Sequence, residues 1–516
     1  MAPTSPTSAP RLLLALSLSL LLLTSAHQLT APSPPAGISP ELVSTLREAL
    51  DAIEGVASVV STFPVVGGVL GGADRRLSSA ITDCLDLLDL SSDELSWSMS
   101  AASPSTAGAG AAGRVGTGDA HADLRAWLSG ALGNQDTCKD GLDDTDSVLG
   151  SLVSTGLQAV TSLLGDGLGQ VAAAGEEAAS SARTSGHRGR GLGEGSAPAL
   201  AGREGRRLLQ MLVGPGGMPV DAVVAQDGSS NHTTVHAAVD AAPSGARRAV
   251  RDLREAGRVQ GDGGGEEEEV ERDDAVVGKG FNARDKTVEN TAGPAKHPAV
   301  ALRCDSDLSV VYRCAFEGHQ DTLYAHSLRQ FYRDCRVAGT VDIVFCNAAA
   351  VFQNCLLLAR APLPGQKNSV TAQGRFNASM NSGFAFQFCN VSAHDDLLRQ
   401  ASRANKTTAA TQTFLGRPWK AYSRVVFMQS YIGTVVRPEG WLAWDANQST
   451  LATLYYGEYM NTGPGAAGVG GRVRWPGYHL AMSPAEASNF TVAQFIEGNM
   501  WLPTTGVRFT SGLLAS

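Results

Sequence analysis

The stretch FYRDCRVAGTVDIVFCNAAAVFQNC, residues 331–355, holds two strand-like pieces with the same ending, FYRDC and VFQNC. That ending recurs in VVYRC (310–314) and AFQFC (385–389). From Cys314 to Cys335 and on to Cys355 the steps are nearly equal, and the longer step to Cys389 accommodates a longer loop. Repeats of about 20 residues, rich in β-branched and aromatic side chains and separated by Gly and Asn turns, are typical of a parallel β-solenoid.

Two successive repeats each carry one carboxylate, Asp321 in GHQDTLY and Asp342 in GTVDIVFC. In a solenoid, residues one repeat apart stack on neighbouring rungs, roughly 4.8 Å from each other. Two carboxylates at that distance cannot both ionise easily, so the pair predicts one acid and one nucleophile or base. The structural alternative is a pair of polar rungs that face water.

Residues downstream of the repeats could serve this pair. LGRPWKAYSR supplies Arg417 and Trp419, and GWLAW supplies Trp441 and Trp444. A guanidinium beside one carboxylate would hold it ionised. Indole rings beside a cleft would stack on sugar rings. The alternatives are a salt bridge at the rim for Arg417 and core positions for the tryptophans.

Length and composition limit the class of protein. A chain of 516 residues suggests two or three domains. With 18% charged and 43% hydrophobic residues, the bulk of the chain is expected to be globular. The net charge of −9 and the lack of a basic patch argue against a nucleic-acid partner.

The N-terminus predicts a secretory signal peptide over residues 1–26. Arg11 precedes the apolar run LLLALSLSLLLL, and small residues around Ala26 suit cleavage there. The run is short for a bilayer span, so no membrane contact is expected after cleavage, and a signal anchor is the alternative. Secretion also fits the six N-x-[ST] glycosylation sequons. They begin at Asn231, Asn377, Asn390, Asn405, Asn447 and Asn489.

Residues 27–170 predict an all-α four-helix bundle. Ser39 is a candidate N-cap with Pro40 at the first helical position. Apolar residues then recur at helical spacing along four segments. One cysteine lies on the second segment and one after the third, which favours a Cys84–Cys138 disulfide in an oxidising compartment. Two free buried thiols are the alternative.

Residues 171–213 are expected to be a linker, because they are rich in Ala, Gly, Ser and Arg and lack periodicity. This segment contains RRLL, which is Arg206, Arg207, Leu208 and Leu209. A basic site in an exposed segment is open to a processing protease. An ordinary charged linker is the alternative.

The motifs GHQDTLY, GTVDIVFCNAAAVFQNC, PLPGQKNSVTAQGR, LGRPWKAYSR and LYYGEYMNTGPGA together resemble the plant pectinesterases (pectin methylesterases). The resemblance implies a right-handed parallel β-helix over residues 214–516, preceded by a pectinesterase-inhibitor-like helical domain and a cleavage site at RRLL. It also implies a secreted carboxylic ester hydrolase of the plant cell wall, the apoplast. Its substrate would be methyl-esterified pectin (homogalacturonan), and no metal or cofactor is expected.

The resemblance also implies roles for individual residues. Asp342 would be the nucleophile, Asp321 the general acid and then base, and Gln320 an oxyanion donor. Arg417 would orient Asp342 and bind substrate, while Trp419 and Trp441 would pack on the polymer. The resemblance further implies a disulfide between Cys335 and Cys355.

Three departures from the family motifs bear on activity. Pro298, which lies one coil before Gln320 in the repeat, replaces a family Gln, and Cys346 replaces a family Gly. Residues 244–274, with an acidic Gly-rich run, are expected to be loop in place of β-coils, so the N-terminal coils are predicted to be incomplete. Two further hypotheses follow: a pectin-binding protein with impaired turnover, and a helical domain that regulates other pectinesterases.

Overall fold

The structure is a computed structural model. It describes residues 39–67, 75–102, 116–145, 147–184, 222–223, 251–254, 258–261, 275–403, 411–444, 449–466 and 469–514. The predicted signal peptide and the RRLL site lie outside the described residues, as do the sequons at Asn231, Asn405 and Asn447.

The predicted four-helix bundle is confirmed. Its helices are α1 (Pro40–Gly67), α2 (Arg75–Ala102), α3 (Ala120–Asp143) and α4 (Val148–Thr184). Helix α1 begins as expected, because the amide of Leu42 donates to Ser39 Oγ at 3.1 Å. The predicted disulfide is present as well, since Cys84 on α2 is bonded to Cys138 on α3.

Two predicted boundaries in the bundle are wrong. Helix α3 continues past Cys138 to Asp143, so that this cysteine lies inside the helix. Helix α4 extends to Thr184, into the segment expected to be linker. Its last turns read AAAGEEAASSART, and the alanine and glutamate residues there favour helix even without an apolar face.

By length and composition, residues 148–175 of α4 could cross a membrane. In the bundle, however, one face of α4 is buried against its neighbours. Leu149, Val153, Leu157, Val160, Leu164 and Leu168 all lie in the core of the bundle. Burial of one apolar face is the pattern of a bundle helix.

The solenoid prediction is also confirmed, because the described strand pairs are all parallel. Sheet 1 contains β1 (Ala222–Val223), β2 (Arg251–Arg254), β5 (Asn282–Arg284), β8 (Ser309–Tyr312), β11 (Arg329–Arg333), β14 (Ala349–Gln353), β18 (Gly383–Gln387), β21 (Arg424–Met428), β23 (Tyr455–Tyr459) and β24 (Tyr478–His479).

Two further sheets complete each coil. Sheet 2 contains β4 (Ala275–Lys279), β7 (Leu302–Asp307), β10 (Leu323–Ala325), β13 (Val344–Cys346) and β17 (Thr371–Gln373). Sheet 3 contains β3 (Arg258–Gly261), β6 (Thr287–Asn290), β9 (Ala315–Glu317), β12 (Arg336–Gly339), β15 (Leu356–Ala359), β19 (Asn390–Ala393) and β22 (Tyr431–Ile432). The pair β16 (Asn368–Ser369) and β20 (Thr413–Phe414) extends the edge of a coil.

The early strands correct one expectation. Residues 244–274 were expected to be loop, yet β2 and β3 lie in this segment and pair with β5 and β6. Parallel pairing uses backbone groups, so a polar segment can add a rung where a partner strand offers free N–H and C=O groups. The acidic Gly-rich run between β3 and β4 lies outside the described residues.

The four repeat cysteines stack in the interior of the β-helix, as their spacing predicts. Register pairs Arg336 of β12 with Ala315 and with Leu356, so Cys314, Cys335 and Cys355 occupy one position on successive rungs. A parallel aromatic stack lies beside them, formed by Tyr332, Phe352, Phe386 and Phe427 with ring centroids 4.5–4.7 Å apart. These residues are buried and form the axis of the core.

The implied Cys335–Cys355 disulfide is wrong for this structure, because both residues are free buried thiols. Cys335 Sγ donates to the carbonyl of Val311 at 3.3 Å, and Cys355 Sγ donates to the carbonyl of Tyr332 at 3.6 Å. On equivalent positions of stacked parallel rungs, the Cβ vectors run side by side rather than toward each other. Each thiol therefore has a carbonyl partner on the preceding rung.

The C-terminal tail is fastened to sheet 1 by three glutamines. Gln353 Nε2 donates to Thr510 O at 2.7 Å, Gln387 Nε2 to Gly512 O at 3.0 Å, and Gln429 Nε2 to Leu514 O at 2.9 Å. In the described part of the chain, five short α-helices lie outside the coils. They are α5 (Asp395–Arg403), α6 (Thr450–Thr453), α7 (Pro484–Ser488), α8 (Val492–Phe495) and α9 (Gly498–Trp501).

Candidate active site

The register of sheet 2 places the two acids on neighbouring rungs, as their spacing predicts. Leu323 pairs with Val344, and the amide of Asp321 donates to the carbonyl of Val341 at 2.9 Å. Both acids have a left-handed backbone, with φ of 61° for Asp321 and 55° for Asp342. Aspartate tolerates this conformation better than most residues. The same turn therefore presents an acid at the same point of two coils.

Asp342 is buried, and its carboxylate accepts a bidentate pair of hydrogen bonds from Arg417. Arg417 Nε donates to Oδ1 at 2.8 Å and Nη2 donates to Oδ2 at 2.6 Å. Burial lowers the pKa of Arg417, but the hydrogen bond and charge of Asp342 outweigh it and raise that pKa. The prediction that Arg417 pairs with one of the carboxylates is confirmed.

Gln320 lies at the edge of the same rung. An isolated parallel bridge joins it to Pro298, and the amide of Ala299 donates to Gln320 O at 3.3 Å. The prediction that Pro298 lies one coil before Gln320 is therefore confirmed. The neighbouring His319 is kept neutral, because burial and the charge of Arg360 lower its pKa to about 4.

Two tryptophans line the cleft beside Arg417, and one of them differs from the prediction. Trp419 stacks with Trp444 at a centroid distance of 6.3 Å, and the Arg417 guanidinium lies 4.1 Å above the Trp444 ring. Trp441 is only 1% exposed and stacks on Tyr456 at 4.2 Å in the core, so the prediction that it packs on the polymer is wrong.

The structure separates the two tryptophans of the GWLAW motif. Trp441 pairs with Gly416 in an isolated bridge, which ties it to the coil interior, whereas Trp444 lies past that bridge. A second aromatic pair was missed altogether: Tyr324 stacks on Phe345 at 4.3 Å. These residues follow Asp321 and Asp342 at the same offset, so the repeat contained the signal for them.

Cys346 occupies a glycine-like position, with φ of 82°. It is buried, which raises the pKa of its thiol, and the thiol forms a hydrogen bond with Tyr324. The backbone at Cys346 is strained, since a positive φ of this size is costly for any residue but glycine.

Helix α3 lies against the β-helix beside this cleft. Lys420, next to Trp419, pairs with Asp136 at 3.0 Å and Asp140 at 2.7 Å on α3. Close to the cleft, Thr137 Oγ1 lies 2.8 Å from His326 Nε2. A Cβ at Gly133 of α3 would lie 2.8 Å from Asn347, so the glycine permits the close approach.

A buried ionic cluster joins the two domains further along α3. Arg329 donates to Asp307 at 2.7 Å and to Asp123 of α3 at 2.8 Å. Trp127 Nε1 donates to Asp307 at 2.8 Å, and Lys279 Nζ lies 3.9 Å from the Trp127 ring centroid. Burial lowers the pKa of Lys279 to about 7. Sequence reasoning missed this cluster, because its members are separated by as many as 206 positions.

Comparison with known proteins identifies both domains. The Pectinesterase family model matches residues 272–499, and the Plant invertase/pectin methylesterase inhibitor model matches residues 23–168. The chain is 46% identical to pectinesterase/pectinesterase inhibitor PPE8B of Prunus persica, over 91% of this chain and 89% of that protein. The chain belongs to the pectinesterase family.

Other members of the pectinesterase family agree. Probable pectinesterase/pectinesterase inhibitor 44 of Arabidopsis thaliana is 43% identical over 92% of this chain and 93% of its own length. The solved pectin methylesterase from carrot is 41% identical, with a TM-score of 0.51 over 58% of this chain and 99% of that chain. The right-handed parallel β-helix and the inhibitor-type helical domain are therefore confirmed, and this pectinesterase is a carboxylic ester hydrolase.

Proposed function

We propose that this pectinesterase hydrolyses the methyl esters of homogalacturonan, with Asp342 as nucleophile and Asp321 as acid and base. One observation carries the proposal. Arg417 holds Asp342 by a two-pronged contact one rung from Asp321, in a cleft that also contains Trp419. A carboxylate held in this way is oriented for attack, while its neighbour on the next rung is available for proton transfer.

In the first step, an Asp342 oxygen attacks the C6 carbonyl of a methyl-esterified galacturonate. The carbonyl electrons move to oxygen, where Gln320 donates a hydrogen bond. When they return, the C6–methoxy bond breaks, and Asp321 gives its proton to the departing methoxy group. Methanol leaves, and an acyl-enzyme joins C6 to Asp342.

In the second step, Asp321 accepts a proton from water, which attacks C6. The bond between C6 and the Asp342 oxygen breaks, and its electron pair returns to the Asp342 carboxylate. The products are a free galacturonate carboxyl group and the starting enzyme. Throughout, Trp419 and Trp444 offer ring faces on which neighbouring sugar rings can stack.

We place the reaction in the plant cell wall, after secretion and cleavage at RRLL. The apolar N-terminal run and the sequons support secretion. Of the three described sequons, those at Asn390 and Asn489 have exposed asparagines. A protease acting at Arg206–Leu209 would separate the helical domain from residues 214–516.

A second candidate is a pectin-binding protein with little turnover. Pro298 favours it, because the bridge to Gln320 puts a residue without an amide side chain directly beside the oxyanion donor. Methanol release from esterified pectin by the secreted full chain separates the two candidates. Release above that of an Asp342→Asn chain supports the enzyme; binding to pectin with release equal to that chain supports the binding protein.

A further inference from the structure

The Asp342 carboxylate accepts a third hydrogen bond, from Ser369. Ser369 Oγ lies 2.5 Å from Asp342 Oδ1, and the amide of Asp342 donates to the same Oγ at 3.0 Å. A serine hydroxyl has one proton and accepts through its lone pairs. Because the amide proton occupies a lone pair, the hydroxyl proton is the one shared with Oδ1.

The position of the Ser369 hydroxyl is fixed by its surroundings. Its side chain is fully buried, and its backbone is bonded on both sides. The amide of Ser369 donates to the carbonyl of Thr340 at 3.2 Å, and its carbonyl accepts from the amide of Ile343 at 3.1 Å. The hydroxyl is therefore held in place on the coil that follows the one carrying Asp342, at the equivalent position.

The two carboxylate oxygens of Asp342 are consequently unequal. Oδ1 accepts from Ser369 and from Arg417 Nε, whereas Oδ2 accepts from Arg417 Nη2. A carboxylate oxygen has two lone-pair directions. Among the described residues, donors use both directions on Oδ1 and leave one on Oδ2.

We infer that Ser369 is a positioning residue that makes Oδ2 the attacking oxygen and keeps Oδ1 hydrogen-bonded through the acyl-enzyme. The inference rests on the proposed role of Asp342 as nucleophile. When Oδ2 bonds to C6 and methanol departs with the Asp321 proton, Oδ1 becomes the aspartyl carbonyl oxygen. When water then attacks C6 and the C6–Oδ2 bond breaks, the electron pair returns to a carboxylate that Ser369 still stabilises.

The hydroxyl affects the two steps in opposite directions. A hydrogen bond makes the carboxylate a weaker nucleophile but a better leaving group. Its removal therefore slows release of the acyl-enzyme more than its formation. Methanol departs on formation, so a burst of methanol reports the imbalance.

The test compares Ser369→Ala, Ser369→Thr and wild type as secreted full chains on esterified pectin. For Ser369→Ala we expect kcat to fall about tenfold, KM to fall with it because release of the acyl-enzyme becomes rate-limiting, and the methanol burst to grow. Ser369→Thr, which keeps the hydroxyl, should restore the kcat and the burst of wild type.

Ser430→Ala is the matched control, since Ser430 is also fully buried but donates to backbone carbonyls. An unchanged burst and an unchanged KM in Ser369→Ala would overturn the inference, whatever the loss in thermal stability. Asp342→Asn distinguishes failure of the proposed nucleophile from failure of the positioning role. If that variant keeps wild-type turnover, the proposed nucleophile fails; if it is inactive while Ser369→Ala behaves like wild type, the positioning role alone fails.

Discussion

Two Arg–Asp pairs in this molecule have similar distances and different surroundings. Arg417 approaches Asp342 to 2.6 Å at the cleft, and Arg329 approaches Asp307 to 2.7 Å between the domains. The side chains of Arg329 and Asp307 are 0% exposed, whereas that of Arg417 is 22% exposed. The distance between the charges is therefore nearly the same in the two pairs and does not explain their different roles.

The difference lies in how fully each carboxylate is bonded. Asp307 accepts from the amide and side chain of Arg329 and from Trp127, which fills all four lone-pair directions of its carboxylate. Asp342 accepts three hydrogen bonds from side chains and keeps one direction on Oδ2. A saturated carboxylate can only hold structure, while one with a direction left can react.

The largest expected effect is at the unsaturated pair. Asp342→Asn keeps the shape of the side chain but removes the nucleophile, so methanol release should fall at least about 10³-fold while pectin binding persists. Asp285→Asn, in an exposed pair with Arg313, is the control. Release by Asp342→Asn above a few per cent of wild type would show that another group attacks the ester.

The saturated pair should instead respond through stability. Arg329→Met leaves Asp307 and Asp123 buried without their cation, which should cost roughly 3–5 kcal/mol of the free energy of unfolding. Chemical denaturation measures this, with Arg313→Met as the control. The Arg313–Asp285 pair is exposed, so its loss should cost less than about 1 kcal/mol. Equal losses in both variants would mean that burial is irrelevant here.

Replacement of Pro298 tests whether the oxyanion site near Asp342 lacks a second amide donor. Pro298→Gln restores an amide beside Gln320 and should raise kcat by about 10- to 10³-fold. Substrate binding should change little, because the gain is realised in the transition state. Pro298→Leu supplies a matched side chain without an amide. A Leu variant as fast as the Gln variant would refute the donor explanation.

The interdomain cluster should also respond to pH. Burial lowers the pKa of Lys279 to about 7 in the folded protein, whereas the unfolded value is near 10.5. The unfolded state therefore binds more protons between these values, and stability should rise with pH above about 7, by at most about 1.4 kcal/mol per unit. Lys279→Met should flatten this rise when unfolding is followed from pH 7 to 9. A slope equal to that of wild type would assign the rise to other groups.

The smallest expected effect is at Lys420, whose ion pairs with Asp136 and Asp140 are partly exposed. Asp136→Asn combined with Asp140→Asn should weaken the contact of α3 beside Trp419. Because a loosened α3 would compete less with pectin at Lys420, methanol release by the full chain should rise about two- to fivefold. Asp143→Asn, whose side chain pairs with Lys139 on the same helix, is the control. Unchanged release would mean that α3 and pectin do not compete at Lys420.

Much of the fold and of the site could be predicted because the solenoid repeats itself. The repeat length alone is enough to place Asp321 beside Asp342, since equivalent positions of successive coils must stack. The repeat does not cover residues contributed by irregular turns, so it cannot show that Trp444 rather than Trp441 lies beside Arg417. Docking of α3 was not predictable either, because Asp123 and Arg329 share no local pattern.

The glutamines that fasten the C-terminal tail have a mechanical consequence. Gln353 and Gln387 lie at the ends of β14 and β18, and Gln429 directly follows β21, the next strand of sheet 1; they bond residues 510, 512 and 514 in the same order. The tail therefore runs across the coils and joins three of them through bonds that are not part of the parallel ladders. It acts as a brace, as in a truss, and resists shear between coils.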